Sequence, residues 1–136
     1  MGGAPTTGYL ERTMMSLRTY LGGRARTFYH AGVGLGCLVR EEHNARIHLF
    51  VTVVVIAAGW YVSLTPAEWS NIAICIALVW SAEAVNSALE RVADVVSPDQ
   101  NATIGAAKDL AAAAVLMAAL GAAIVGSLVF YPHLVR

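Results

Sequence analysis

Three apolar stretches, separated by short polar breaks, make up most of the chain after residue 46. The first, residues 47–64, reads IHLFVTVVVIAAGWYVSL and carries no Asp, Glu, Lys or Arg. The second starts at about residue 69, and the third, over 110–131, is rich in alanine and glycine. A helix needs about 20 apolar residues to cross the roughly 30 Å hydrocarbon layer of a membrane. The pattern therefore predicts three transmembrane helices, over 47–64, 69–93 and 110–131.

The polar breaks carry helix start and stop signals. Thr65 is a good N-cap residue, Pro66 suits the first helical position, and Glu68 stands at the third, which together predict a capping box. The second helix is therefore expected to begin near residue 66 and to end before Ser97 and Pro98. A connection this short makes the first two spans antiparallel.

The stretch between residues 24 and 46 is too charged to span a membrane and too apolar for a solvated tail. This mixture predicts an amphipathic surface helix, either continuous or broken by glycines at 32, 34 and 36. These glycines do not have the GxGxxG spacing of a dinucleotide fingerprint. We expect an N-terminal extension of unknown role over 1–25 and one membrane domain over 26–136.

Composition and charge agree with an all-α membrane protein. The chain is 57% hydrophobic and 13% charged, and its zero net charge indicates no nucleic-acid partner. The 65–68 turn carries no Lys or Arg, whereas the 94–108 loop is flanked by Arg91 and Lys108. By the positive-inside rule, the N-terminus and that loop face the cytoplasm. Six arginines precede the first span: Arg12, Arg18, Arg24, Arg26, Arg40 and Arg46.

A polar stripe follows one face of the second helix. Glu83, Asn86, Glu90 and Asp94 are spaced by 3, 4 and 4 residues, which places them within an arc of about 80°. A charge inside the membrane costs on the order of 3 kcal/mol or more, so such residues usually line a helix bundle and carry function. The alternative is a stripe whose hydrogen bonds only join helices.

Two further polar clusters lie at the same membrane face. Glu42 and Arg46 precede the first span, where a simple i,i+4 ion pair is the alternative to a functional role. Lys108 precedes the third span, where it would otherwise be a snorkelling anchor. Carboxylates of this kind suit Mg²⁺ bound to the phosphates of a nucleotide, and a buried carboxylate is a candidate general base. The combination is compatible with phosphoryl transfer at a membrane surface.

The clusters also match sequence motifs. The sequence reads ExxNSAxExxxD over 83–94, AKDxAxAAVL over 107–116 and EExNxRxH over 41–48. In this order and setting, the motifs resemble those of the prokaryotic diacylglycerol kinase and undecaprenol kinase family, over about residues 26–131. The resemblance implies a surface helix, three transmembrane helices and a homotrimer with shared active sites in the bacterial inner membrane. It also implies ATP, Mg²⁺ and a membrane lipid alcohol, with undecaprenol slightly favoured over diacylglycerol.

The resemblance further implies a role for each matching residue. Glu83 would be the general base, Glu42 and Glu90 would bind Mg²⁺, Asn86 would hold the substrate or Glu83, and Lys108 would contact the phosphates. The remaining implied contacts are Arg46 with the substrate, and Glu90, Asp94, Gly105 and Asp109 with ATP.

Two other functions are compatible with the residues alone. A small proton-coupled transporter subunit would use Glu83, Asn86 and Glu90 to relay protons. A membrane anchor would use the stripe only to associate with other copies.

Overall fold

The computed structural model describes residues 24, 26–97 and 101–135, and all regular structure within them is helical. Helix α1 covers residues 26–41 and α2 covers His43–Tyr61. Helix α3 covers Pro66–Val96 and α4 covers Ala102–Leu134. The predicted all-α class is confirmed. Of the predicted extension over 1–25, residues 1–23 and 25 lie outside the described residues.

The described residues belong to two compact units, which divide between Cys37 and Leu38. In the first unit, residues 26–37 are helical without interruption, so the three glycines do not break the helix. Arg26 Nε donates a hydrogen bond to His30 Nε2 at 3.4 Å, one helical turn away. A helix in this stretch agrees with the prediction, while its amphipathic character and its place on the membrane surface stay predictions.

Helix α2 ends three residues earlier than its predicted span. The N–H of Ser63 donates a hydrogen bond to the carbonyl of Trp60 at 3.2 Å, and the N–H of Leu64 donates one to the carbonyl of Gly59 at 3.1 Å. This pair of bonds is a Schellman motif, with Ser63 (φ 58°) in the left-handed position that glycine usually occupies. The first span is predicted to end at about residue 64, whereas the helix ends at Tyr61 because the motif turns the chain there and directs Leu64 into the core.

The start of α3 agrees with the sequence. The Thr65 hydroxyl accepts a bond from the N–H of Glu68 at 3.4 Å, and Oε2 of Glu68 accepts one from the N–H of Thr65 at 2.8 Å. This is the predicted capping box, with Pro66 at the first helical position. The remaining oxygen of Glu68 lies 3.0 Å from Nε2 of His133 near the end of α4.

Within the second unit, α3 is the central helix, packed against both α4 and α2. The turn over 62–65 marks one end of the three helices, which we call the turn end, and the α3–α4 connection marks the other, the loop end. The buried core lies near the turn end and consists of Leu64, Ile72 and Val129. This apolar cluster is therefore separate from the polar stripe, which runs from the middle of α3 toward the loop end.

Helices α2, α3 and α4 are each long and apolar enough to cross a membrane. At about 1.5 Å per residue, the 33 residues of α4 rise about 50 Å, more than the hydrocarbon thickness. Many large apolar side chains on these helices are exposed in the single chain, including Phe50, Leu78 and Leu128. Such surfaces suit contact with lipid tails, and the chain is a membrane protein.

Candidate active site

Glu83 is the most completely buried large side chain among the described residues, with 1% of its surface exposed. It lies near the middle of α3, on the face that packs against the neighbouring helices. Its Oε2 atom is buried and has no hydrogen-bond partner in the chain. A buried polar atom without a partner costs about 1–3 kcal/mol, so this oxygen is available for a bond that the single chain does not supply.

Asn86 and Glu90 continue the stripe from Glu83 toward the loop end. Nδ2 of Asn86 donates a hydrogen bond to Oε1 of Glu90 at 2.9 Å, across one helical turn. Asn86 is 6% exposed, and its Oδ1 is a second buried atom without a partner. The predicted spacing therefore places Glu83, Asn86 and Glu90 on one face.

These three side chains line a cleft of about 300 Å³ between the helices. The wall from α2 carries Asn44, Ile47 and His48. The wall from α4 is apolar and consists of Ala112, Val115, Leu116 and Ala119. Polar groups thus face the cleft from α2 and α3 only.

His48 also belongs to this site, although no role was predicted for it from the sequence. Its Nε2 lies 3.9 Å from Oε2 of Glu83, and 18% of its side chain is exposed. The available signal was a polar residue just inside an otherwise apolar span. That signal was insufficient because only the packing of α2 on α3 shows that His48 faces Glu83.

A second cavity, of about 310 Å³, adjoins the cleft and extends toward the turn end. It shares His48 and Ala119 with the cleft. Its other lining residues are almost all apolar, with Val51, Ile76 and Phe130 among them. A polar cleft and an apolar cavity therefore meet at His48.

Glu42 makes a different ion pair from the one that its spacing suggested. Its Oε1 accepts a bond from Nη2 of Arg91 at 3.2 Å, and the same nitrogen lies 3.1 Å from Oε2 of Glu41. Within the described part of the chain, no ion pair joins Glu42 to Arg46, so that alternative is wrong. Glu42 is the N-cap residue of α2 and has extended backbone angles, which direct its side chain away from the i,i+4 position.

The other predicted site residues lie near the loop end. Lys108 donates a hydrogen bond to Oδ1 of Asp94 at 3.0 Å, which joins the start of α4 to the end of α3. Asp94 therefore belongs to the stripe but pairs with Lys108 and does not line the cleft. Gly105 and Asp109 are exposed, and a Cβ atom at Gly105 would meet nothing within 4 Å.

Mg²⁺ would need oxygen ligands at this site. Within residues 24, 26–97 and 101–135, no group of three or more His, Cys, Asp or Glu side chains is arranged to hold a metal ion. Mg²⁺ in phosphoryl-transfer enzymes is usually held by one or two carboxylates together with the phosphates of the substrate. Glu90 lines the cleft, whereas Glu42 is paired with Arg91 and does not line it, so the assignment of these two carboxylates to Mg²⁺ stays a prediction.

The chain resembles known proteins over most of its length. Residues 29–130 match the family model of prokaryotic diacylglycerol kinase. An undecaprenol kinase of Bacillus subtilis (strain 168) is 35% identical over 109 residues, which cover 80% of this chain and 89% of that protein. A diacylglycerol kinase of Synechocystis sp. is 37% identical over 109 residues, 79% of this chain and 62% of that protein. The motifs, the three apolar helices and the polar cleft agree with these matches, and the chain belongs to the prokaryotic diacylglycerol kinase family.

Proposed function

We propose that this protein, a lipid kinase by family, transfers the γ-phosphate of ATP to the hydroxyl group of a membrane lipid. The acceptor is undecaprenol or diacylglycerol, and the reaction depends on Mg²⁺. The family match and the names of the two relatives support this class of reaction. They also favour it over a proton-coupled transporter subunit or a passive membrane anchor.

One observation carries the proposal: the unpartnered, buried Oε2 of Glu83 in the polar cleft. A lipid alcohol is a very weak acid, so its attack on a phosphate is helped by a base that takes the hydroxyl proton. A buried carboxylate is poorly solvated, which makes it a better proton acceptor than an exposed one. Glu83 therefore acts as the general base.

The neighbouring residues have supporting roles. Asn86 orients Glu90 through its 2.9 Å hydrogen bond, and its Oδ1 is available to a substrate hydroxyl. Glu42 and Glu90 would hold Mg²⁺, which neutralises the charge that develops on the transferred phosphate. Lys108 contacts the phosphates of ATP. Its hydrogen bond to the Asp94 carboxylate is replaced by one to a phosphate oxygen, since both acceptors are negatively charged oxygens. Arg46 contacts the substrate, and Asp94, Gly105 and Asp109 contact ATP.

Each substrate has a route to the cleft. The apolar cavity that meets the cleft at His48 has room for part of a hydrocarbon chain. ATP enters from the loop end, where the charged residues are concentrated. The excess of arginine before the first span supports a cytoplasmic location of this end, in the inner membrane of a bacterium.

The active site is completed by further copies of the chain in a homotrimer. Two buried oxygen atoms, on Glu83 and Asn86, lack partners in the single chain. Small exposed residues on α4, such as Ala113 and Ala114, would allow a neighbouring helix to approach closely.

The proposal is tested with purified protein in mixed micelles that contain undecaprenol or diacylglycerol. Labelled ATP and Mg²⁺ are added, and label in the lipid fraction is measured. Glu83→Gln keeps the size of the side chain but removes the base. Glu68→Gln, on the same helix at the turn end, is the matched control because glutamine can still form the capping box.

The expected result is transfer of label to at least one lipid by the unmodified protein and by Glu68→Gln. Glu83→Gln should lose about 10²-fold or more in kcat, since a positioned base contributes typically 10²–10⁴-fold. Transfer to neither lipid refutes the proposed function. Full activity of Glu83→Gln refutes its role as the base.

A further inference from the structure

His48 occupies a position that the roles above do not use. It is the only titratable side chain that α2 contributes to the cleft, among the residues that line it. Its Nε2 lies 3.9 Å from Oε2 of Glu83, a buried oxygen that has no hydrogen-bond partner in the chain. A movement of about 1 Å would bring these atoms within hydrogen-bond distance.

Glu83 faces a difficulty that follows from its burial. As the base, its carboxylate becomes a carboxylic acid in every catalytic cycle, and it must lose that proton before the next one. With 1% of its surface exposed, it has almost no direct contact with solvent. Another group must therefore carry the proton from Glu83 to water.

We propose that His48 is this group. It positions Glu83 and accepts the proton that Glu83 has removed from the lipid hydroxyl. This inference rests on the proposed function. The 3.9 Å separation, the unpartnered oxygen of Glu83 and the partial exposure of His48 carry it.

The proton balance is simple. The lipid O–H bond breaks and its proton goes to Oε2 of Glu83, while the lipid oxygen forms the new O–P bond. The bond between the γ-phosphorus and the bridging oxygen of ATP breaks at the same time, and ADP leaves with that oxygen. It then moves from Oε2 to Nε2 of His48, which regenerates the carboxylate and leaves an imidazolium. The imidazolium releases the proton to water in the cleft, which the charged loop end borders, and returns to the neutral state.

The other groups near Glu83 are less suited to this step. On α3, Asn86 does not titrate, and Glu90 already accepts a bond from Asn86 and is a candidate metal ligand. Glu42, the other nearby carboxylate, is paired with Arg91. The α4 wall of the cleft is apolar. A histidine changes charge near neutral pH, so it can accept and release a proton in each cycle.

The first test compares His48→Gln with His43→Gln. His43 is on the same helix but exposed, and it does not line the cleft, so it is a matched control. We expect His48→Gln to lower kcat about 10²-fold, the lower end for positioned proton transfer, with a small change in KM. The fall of kcat toward low pH should be as steep in His43→Gln as in the unmodified protein and shallower in His48→Gln, because a protonated histidine cannot accept the proton.

The second test is chemical rescue. His48→Ala leaves space beside the cavity, and added imidazole should restore part of kcat in proportion to its concentration. Pyrazole, which has the same shape but is a far weaker base, should not. Full kcat with an unchanged pH profile in His48→Gln overturns the inference, and so does a slow His48→Ala variant that imidazole does not rescue. Inactivity of the unmodified protein on both lipids would instead refute the proposed function.

Discussion

Gly59→Ala is expected to destabilise the protein although alanine is the better helix former. Gly59 is buried in the last turn of α2, where Trp69 of α3 packs against it. A Cβ atom there would lie 2.7 Å from Cη2 of Trp69 and 3.0 Å from Cδ1 of Leu64. The ring of Trp69 is also confined by Trp60, with the ring centroids 6.0 Å apart.

The magnitude follows from these distances. Carbon atoms are in favourable contact at about 3.5–4.0 Å, so the Trp69 ring would have to move by about 1 Å. Overpacking of this kind typically costs about 1–3 kcal/mol. Gly121→Ala on α4 is the control, since its new methyl group would meet nothing within 4 Å. Because the gain in helix propensity is common to both variants, their difference isolates the contact with Trp69.

The free energy of unfolding would be measured in detergent by titration with a denaturing detergent, followed by circular dichroism. We expect Gly59→Ala to be less stable than Gly121→Ala by about 1–3 kcal/mol. Adding Trp69→Leu should remove most of this difference, because the smaller side chain leaves space for the methyl group. Equal stability of the two single variants, or no recovery in the double variant, would refute the reasoning.

Two further predictions concern the turn and the phosphate site. Ser63→Gly should stabilise the protein by about 0.5–1 kcal/mol, because Ser63 has a φ of 58°, which glycine adopts without strain. Ser63→Ala should not stabilise it. Thermal unfolding would detect the difference, and a lower unfolding temperature for Ser63→Gly would contradict the prediction. Lys108→Gln should raise the KM for ATP about tenfold, as expected for one lost charge-assisted hydrogen bond, with little change in the unfolding temperature. Because Lys108 is the only lysine of the sequence, ATP should also protect its side chain from acylation, and equal labelling with and without ATP would argue against a phosphate contact.

Several features could be predicted from the sequence because they depend on residues close to one another along the chain. The apolar runs determine three helices long enough to cross a membrane. Thr65 and Glu68 determine where α3 begins, since a capping box needs only residues three positions apart. The spacing of Glu83, Asn86 and Glu90 determines that they share a face, because a helix repeats every 3.6 residues. The motifs built on this spacing were enough to identify the family.

The tertiary structure alone decided which of these faces meet. The Glu42–Arg91 pair joins residues 49 positions apart, and the approach of His48 to Glu83 joins two helices. The end of α2 also depended on the tertiary structure, since Leu64 leaves the helix to fill the core near Ile72. Local periodicity specifies a face of each helix but not the rotation or axial shift of one helix against another. Those are set by side-chain packing between helices, and they bring His48 to the unpartnered oxygen of Glu83.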